Sequence, residues 1–213
     1  MLKEIIILAK SIKRGGYCIA GLDTETGEWI RPISDNIITE GAVPKMDTIL
    51  SNREELKIFD KVIIELVSHS PTKAQPENYV YDSSVAWEKT GTSSLRQVLE
   101  FRGYDKVNKI FYNTEKSVSE EEVGGQPSLL LLNVNNPSIL IKTFEKKKIQ
   151  FNFEYNGCSY NFFQVGDELV RSKYMNRVDG KYPYNDNVDV VFSLTDKYSN
   201  TGRYYKMVAQ LFC

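Results

Sequence analysis

Histidine and cysteine are scarce in this chain, and their scarcity limits its chemistry. The single histidine, His69, excludes a metal site built from several histidines. The three cysteines, Cys18, Cys158 and Cys213, show no CxxC spacing and cannot all pair within one chain, which predicts free thiols and a cytoplasmic protein. No sequence pattern predicts that a cysteine or serine nucleophile lies next to His69. We therefore expect no catalysis of its own, no cofactor and no metal.

Long apolar runs and an excess of charge are also missing. No stretch approaches the roughly 18 consecutive apolar residues of a membrane-spanning helix, so no membrane partner is expected. The net charge is -1, so no field of the whole protein attracts nucleic acid. Any nucleic-acid site must therefore be local.

Aromatic residues are abundant instead, with 13 Tyr and 10 Phe among 213 residues. This bias favours strands. Apolar or alternating runs bounded by turn residues predict strands over residues 4–9, 17–23, 28–33, 60–67, 128–133, 138–143, 149–155, 158–165, 188–194 and 203–212. Residues 93–101 fit a helix with Ser93 or Ser94 as its N-cap.

The predicted strands fall into two groups. Residues 104–126 combine few apolar side chains with acidic charge and the pair Gly124-Gly125, which is typical of a linker. They separate a first domain, residues 1–103, from a second, residues 127–213. Each half supplies about five strands, a count that suits a five-stranded Greek-key barrel of the OB type. The predicted fold is mainly β: two small antiparallel OB-like barrels with one or two short helices in the connections.

The pair Asn156-Gly157 is the strongest local signal, because both residues accept the positive φ of a type I′ hairpin turn. A two-residue turn there places Phe153 opposite Tyr160 and Phe151 opposite Phe162 on one side of the hairpin. This aromatic side is either core or a platform for stacking bases.

The first candidate site is the turn Lys13-Arg14-Gly15-Gly16. Two glycines allow successive backbone N–H groups to converge on an anion, and the neighbouring cations add charge, so the turn could hold a phosphate. The alternative is a plain tight turn with exposed charges.

Trp29 and Arg31 form a second candidate, since residues two apart on a strand share one face. If that face is outward, Trp29 can stack a base while Arg31 binds a phosphate or a base edge. If it is inward, Arg31 is a buried charge that needs a partner, for which the nearby carboxylates are Asp23, Glu25 and Glu28.

A third candidate lies in residues 165–184, which show no clear periodicity and interleave basic and aromatic side chains. Arg171, Lys173 and Tyr174 are its central residues, and Arg203 at the last hairpin could extend it. Such a loop can follow a sugar–phosphate backbone while its rings stack bases. The alternative is a surface loop anchored by its tyrosines.

Both ends of the chain resemble a known family. The runs SIKRGGYCIAG (residues 11–21) and GEWIRPIS (27–34), with FSLT (192–195) and GRYYKMVA (202–209) near the end, resemble the dual OB-fold domain family of bacterial proteins. The resemblance implies one such unit over the whole chain. It also implies nucleic-acid or nucleotide binding, in a phage-defence or nucleic-acid-modification system.

These observations predict a module that binds or senses single-stranded nucleic acid or a nucleotide. Two alternatives stay open. One is an enzyme acting on a nucleotide or modified base, with Arg31 as anion clamp and Asp23, Glu25 or Glu28 as acid or base. The other is a protein-interaction module whose aromatic surface binds a partner chain.

Overall fold

A computed structural model describes residues 1–124 and 126–212. The chain forms two compact units, Met1–Gly103 and Tyr104–Cys213. It is mainly β, which confirms the predicted fold class.

The first unit contains a closed five-stranded barrel. The elements of the unit are β1 (Leu2–Lys13), β2 (Gly16–Asp23), β3 (Trp29–Ile33), β4 (Asp60–His69), β5 (Asn78–Tyr81), β6 (Glu88–Thr92) and helix α1 (Leu95–Phe101). Strand β6 pairs with β4 outside the ring. The strands follow the order β1-β2-β3-β5-β4, and pairing of β4 with β1 closes the ring. The β3–β5 pair is parallel, whereas the other pairs of the ring are antiparallel. Short 3-10 helices, Ile37–Thr39 and Lys45–Thr48, lie between β3 and β4.

The core of this barrel follows the two-residue period of its strands. On β4, Val62, Ile64 and Leu66 alternate with partly buried residues and point into the barrel. Ile30 of β3 joins the same core cluster. The neighbours of Ile30 on β3 therefore lie on the outer face of the barrel.

The second unit repeats this connectivity. Its elements are β7 (Ser117–Val118), β8 (Leu129–Thr143), β9 (Lys147–Tyr155), β10 (Cys158–Val165), α2 (Glu168–Met175), β11 (Gly180–Pro183), β12 (Asn187–Tyr198) and β13 (Arg203–Phe212). The ring runs β8-β9-β10-β13-β12 and closes by pairing of β12 with β8. Its parallel pair is β10–β13, the equivalent of β3–β5.

Aromatic side chains fill the second barrel. The rings of Phe153 and Tyr160 are stacked with their centroids 5.2 Å apart, and Phe192 lies 4.9 Å from Phe153. Asn156 and Gly157 both have positive φ, at 49° and 72°, as a type I′ turn requires. Phe153 pairs with Tyr160 as the sequence indicates, so this part of the aromatic side is core.

Residues 104–124 differ from a linker, since they belong to the second compact unit and several of them bond with its barrel. Strand β7 pairs with β13, and Asp105 Oδ2 accepts a hydrogen bond of 2.7 Å from the Leu131 amide. The few apolar side chains of the segment are sufficient to fix it, because Ile110 and Phe111 are buried at 0% exposure. A short 3-10 helix, Ile110–Tyr112, lies in the segment as well.

The side chain of Lys206 on β13 forms hydrogen bonds that hold this segment against the barrel. Its side chain is buried, and Nζ donates to Ile110 O at 2.6 Å, Asn113 O at 2.6 Å and Asn113 Oδ1 at 2.8 Å. The three oxygens favour the ammonium form, whereas desolvation favours the neutral amine. Desolvation is the larger effect and lowers the pKa of Lys206 from 10.5 to about 7.

This pKa predicts that stability rises with pH above neutrality. Because the folded pKa of Lys206 lies below the value of 10.5 in the unfolded chain, the unfolded state binds more protons above pH 7. The free energy of unfolding should therefore increase between about pH 7 and 9.5, before tyrosines begin to titrate. Urea unfolding across this range measures it. The variant Lys206→Met should flatten the rise, and an unchanged rise in that variant would contradict the assignment.

Cys18 and Cys158 are free thiols, as predicted, and Cys213 lies outside the described residues. Within the described chain, no helix combines the length and the apolar character needed to cross a membrane.

Candidate nucleic-acid interface

The turn at residues 13–16 is a tight hairpin turn. Arg14 and Gly15 both have positive φ, at 46° and 80°, whereas an anion-binding nest alternates right- and left-handed residues. Arg14 forms an exposed ion pair with Glu40 at 2.9 Å. Gly16 is needed for packing, because a Cβ there would lie 2.4 Å from Val43 O. These contacts favour the plain turn over the phosphate cradle.

Trp29 and Arg31 lie on the outer face of the first barrel, yet both are buried, at 5% and 3% exposure. The Arg102 guanidinium carbon is 5.5 Å from the Trp29 ring centroid. Arg31 forms an ion pair of 3.2 Å with Glu77 and approaches Cys18 Sγ at 3.5 Å. The two side chains are therefore not exposed for base stacking or phosphate binding.

The carboxylate beside Arg31 differs from the three expected ones. Glu77 precedes β5, which pairs in parallel with β3 so that Arg31 lies opposite Asn78. Asp23 is bound instead by Lys3 at 2.7 Å, and the side chain of Glu25 is 81% exposed. Glu28 is also exposed. This arrangement does not provide the pocket that an acid or base near Arg31 would need.

Residues 165–184 contain regular structure, which corrects the prediction of an irregular loop. They form α2 and β11, and β11 pairs with β8. Arg171 donates to Val165 O at 3.1 Å and so fastens α2 to the end of β10. Tyr174 is buried, with Lys173 Nζ 5.7 Å from its ring centroid. Of the three predicted residues, Lys173 alone is exposed.

Arg203 also has structural contacts. Its Nε donates to Ser117 Oγ at 2.8 Å and its Nη2 to Ser117 O at 3.3 Å, which joins β13 to β7. The predicted site residues are thus divided. Lys13, Arg14, Gly15, Gly16, Trp29 and Arg31 belong to the first unit, and Arg171, Lys173, Tyr174 and Arg203 to the second.

Asp167 fixes the start of α2, and its removal should be costly. Its Oδ1 accepts from the Val170 amide at 3.0 Å, and its Oδ2 from Gln210 Nε2 at 2.6 Å and the Leu211 amide at 3.0 Å. Asp167→Ala removes a helix cap and leaves buried donors unpaired, so we expect a loss of about 2–3 kcal/mol in unfolding free energy. Thermal unfolding measures it, with Glu168→Ala as control. An effect equal to that of the control would contradict this role.

A different surface of the second barrel combines exposed aromatic and basic side chains. We call it the Lys–Phe face, and its residues are Lys142, Phe144, Lys146, Lys148 and Phe162. Lys142 of β8 pairs with Lys148 of β9, and their neighbours Ile141 and Ile149 are buried, so the two lysines share the outer side.

Phe162 reaches this face through a bulge in β10. The register with β9 shifts between Tyr160 and Phe163, so that Phe163 replaces Phe162 opposite Phe151. Phe162 has φ 67°, which is unfavourable for a bulky side chain, and it is 44% exposed. Its amide donates to Asn152 Oδ1 at 2.7 Å, which holds the bulge. The predicted pairing of Phe162 with Phe151 was wrong.

Phe144 lies in the turn between β8 and β9 and is 68% exposed. The turn is anchored on both sides. Asp179 accepts from the amide and hydroxyl of Thr143 at 2.7 Å each, and these bonds lower the pKa of Asp179. Lys147 Nζ donates to Met175 O, at the end of α2, and to Arg177 O, just beyond it, both at 2.8 Å. The anchored turn holds Phe144 at the edge of the barrel.

Lysines accompany both exposed rings. Lys142 Nζ lies 5.9 Å from the Phe162 ring centroid and Lys148 Nζ lies 5.6 Å from that of Phe144. Such cation–π contacts at exposed sites are weak, at about 0.5–1 kcal/mol. Both ammonium groups can therefore turn towards an anionic ligand at small cost. Glu145, in the turn between β8 and β9, adds one negative charge beside these lysines.

Sequence patterning missed this face because strict alternation placed Phe162 in the core. One signal was available: Phe162 and Phe163 are adjacent on a strand, so both can point inward only if the strand is irregular. Over residues 1–124 and 126–212, no group of three or more His, Cys, Asp or Glu could hold a metal ion.

Two five-stranded barrels of this connectivity, each closed by one parallel pair, define a tandem OB-fold protein. Its second barrel presents aromatic and basic side chains on β8, β9 and β10. The chain belongs to the family described as the Dual OB-containing domain, which matches residues 3–211 and confirms the resemblance. No curated protein and no solved structure matched the chain.

Proposed function

We propose that the second barrel binds single-stranded nucleic acid on the Lys–Phe face. The bulged, exposed Phe162 carries this proposal. A bulky side chain with positive φ is unfavourable and is retained where the surrounding structure imposes it, often at functional sites. An exposed ring on the outer side of the barrel offers a flat surface on which a base of any sequence can stack.

The position of the face supports the same function. OB folds bind oligonucleotides and oligosaccharides on their second and third strands and on the loop between the first two strands. In the second barrel these are β9, β10 and the turn that carries Phe144. Phe144 and Phe162 thus both lie where such a ligand binds.

Charge favours a polyanion over a neutral sugar chain. Lys142, Lys146 and Lys148 are exposed on or beside β8 and β9, and Glu145 offsets part of their charge. Lysines of this kind bind phosphates and release counterions, whereas a neutral glycan gains nothing from them. Two rings flanked by lysines suit a flexible single strand, whose bases are free to stack on protein side chains.

The salt dependence of affinity tests this function. A plot of the logarithm of the association constant against the logarithm of the salt concentration should be a falling line. With three phosphate contacts to a single strand, its slope should be roughly -2. Fluorescence anisotropy of labelled oligo(dT) and oligo(U), between about 50 and 200 mM salt, measures the slope. Lys148→Ala should reduce its magnitude by about 0.7.

The matched control is Arg96→Ala, which removes an exposed cation from α1, where Arg96 pairs with Glu100 at 2.8 Å. Its slope should equal that of the unmodified protein. No binding of either strand at the lowest salt would overturn the proposal, as would equal slopes for Lys148→Ala and the unmodified protein.

A further inference from the structure

A surface cavity of about 470 Å³ lies in the second unit, apart from the residues of the Lys–Phe face. Its lining residues are Lys106, Val107, Asn108, Lys109, Tyr112 and Gln126. This volume falls within the range of about 300–1,000 Å³ typical of small-molecule sites. The cavity is therefore large enough for a ligand bigger than a simple ion.

The polar side chains around this cavity are available to a ligand. Lys106, Asn108 and Lys109 are exposed, and none of their side chains forms a hydrogen bond or ion pair with another described residue. No carboxylate of the described residues lines the cavity. The nearby Glu122 is bound by Asn113 and by the Ser119 amide, and these bonds lower its pKa.

The backbone beneath these side chains is fixed by contacts with the barrel. Val107 O accepts hydrogen bonds of 3.0 Å from both Tyr155 Oη and Asn156 Nδ2. Ile110 N donates to Tyr160 Oη at 3.3 Å, and the buried Lys206 binds Ile110 O. The cavity is thus built on an anchored segment, so little ordering is required when a ligand binds.

Two adjacent residues at the cavity have an unfavourable backbone conformation. Phe111 and Tyr112 have φ of 44° and 76°, and both carry bulky side chains. Phe111 is fully buried, while Tyr112 is one of the residues that line the cavity. The Tyr112 hydroxyl bonds with the backbone N–H and O of Gly124, at 3.1 and 3.2 Å, which holds the ring in place.

We propose that this cavity binds a small phosphate-bearing ligand. Lys106 and Lys109 supply positive charge, and their ammonium groups can donate hydrogen bonds to phosphate oxygens. Asn108 and Gln126 offer amide groups to the rest of the ligand, and the Tyr112 ring offers a stacking surface. The site is independent of the strand-binding function, because none of its lining residues belongs to the Lys–Phe face.

Isothermal titration of the full chain with pyrophosphate and, separately, with AMP tests the site. Binding of pyrophosphate alone identifies phosphate groups as the ligand, and tighter binding of AMP identifies a nucleotide. Lys106→Ala/Lys109→Ala should weaken binding of the probe at least about tenfold, since charge-assisted bonds are lost. Both substitutions are at exposed positions, so folding should be retained.

The control variant is Arg96→Ala, which removes an exposed cation from α1 and should bind both probes as the unmodified protein does. Absence of saturable binding of both probes would overturn the proposal. So would loss of probe binding in Lys148→Ala together with unchanged binding in the Lys106→Ala/Lys109→Ala variant. Oligonucleotide affinity, measured in parallel, reports on the Lys–Phe face separately, so failure of one site is distinguishable from failure of the other.

Discussion

The double variant Phe144→Ala/Phe162→Ala should bind single-stranded oligonucleotides about 100-fold more weakly than the unmodified protein. Each base stacked on an aromatic side chain contributes about 1–3 kcal/mol, and this variant removes both exposed rings of the Lys–Phe face. The lysines remain, so weak, salt-sensitive binding should persist. Anisotropy titrations measure the change. The control is Phe101→Ala, which removes a ring of similar exposure, 47%, from α1.

A second substitution separates binding from folding at Phe162. Phe162→Gly removes the ring and also relieves the positive φ of 67°, which glycine adopts without steric strain. This variant should stay folded, because relief of that strain offsets part of the packing lost with a 44% exposed ring, and yet bind oligonucleotides about tenfold more weakly. Unchanged affinity in Phe162→Gly and in the double variant would contradict a stacking role.

Arg31→Met should lower the free energy of unfolding by about 3–5 kcal/mol, because it leaves the buried carboxylate of Glu77 without its ion-pair partner. The ion pair is 3.2 Å long, and both side chains are 5% exposed or less. Urea unfolding measures the loss. The double variant Arg31→Met/Glu77→Gln should recover part of it, since the buried charge of Glu77 is removed as well.

The same variant distinguishes the two interpretations of Arg31. If the role of Arg31 is structural, through its ion pair with Glu77, the Arg31→Met variant should retain oligonucleotide affinity at a temperature where the variant is folded. A loss of affinity comparable to that of Phe144→Ala/Phe162→Ala, with little loss of stability, would instead make Arg31 a ligand-binding residue.

Much of the fold follows from local sequence signals. The Asn156-Gly157 turn fixes the register of the β9–β10 hairpin near Tyr160, and apolar runs predict most strands of both barrels. Helix α2 also had a local signal that patterning missed: Asp167, a good N-cap residue, precedes it. The interleaved tyrosines and cations concealed its period.

The candidate site was less accessible to sequence reasoning, because its decisive contacts are not local. The bulge at Phe162 depends on Asn152 of the neighbouring strand. Arg31 and Glu77 are far apart in sequence and come together because β3 and β5 pair in parallel. Residues 104–126 have few apolar side chains, yet Lys206 secures them from β13. Composition and periodicity do not record such pairings.

Backbone hydrogen exchange, with and without a saturating single-stranded oligonucleotide, shows which surface of the protein the strand covers. Exposed backbone at a binding site is protected when a ligand covers it. We predict protection of residues 142–148 and 160–164, and none in the turn at residues 13–16. Protection of that turn, together with unchanged exchange in residues 142–148 and 160–164, would contradict the account.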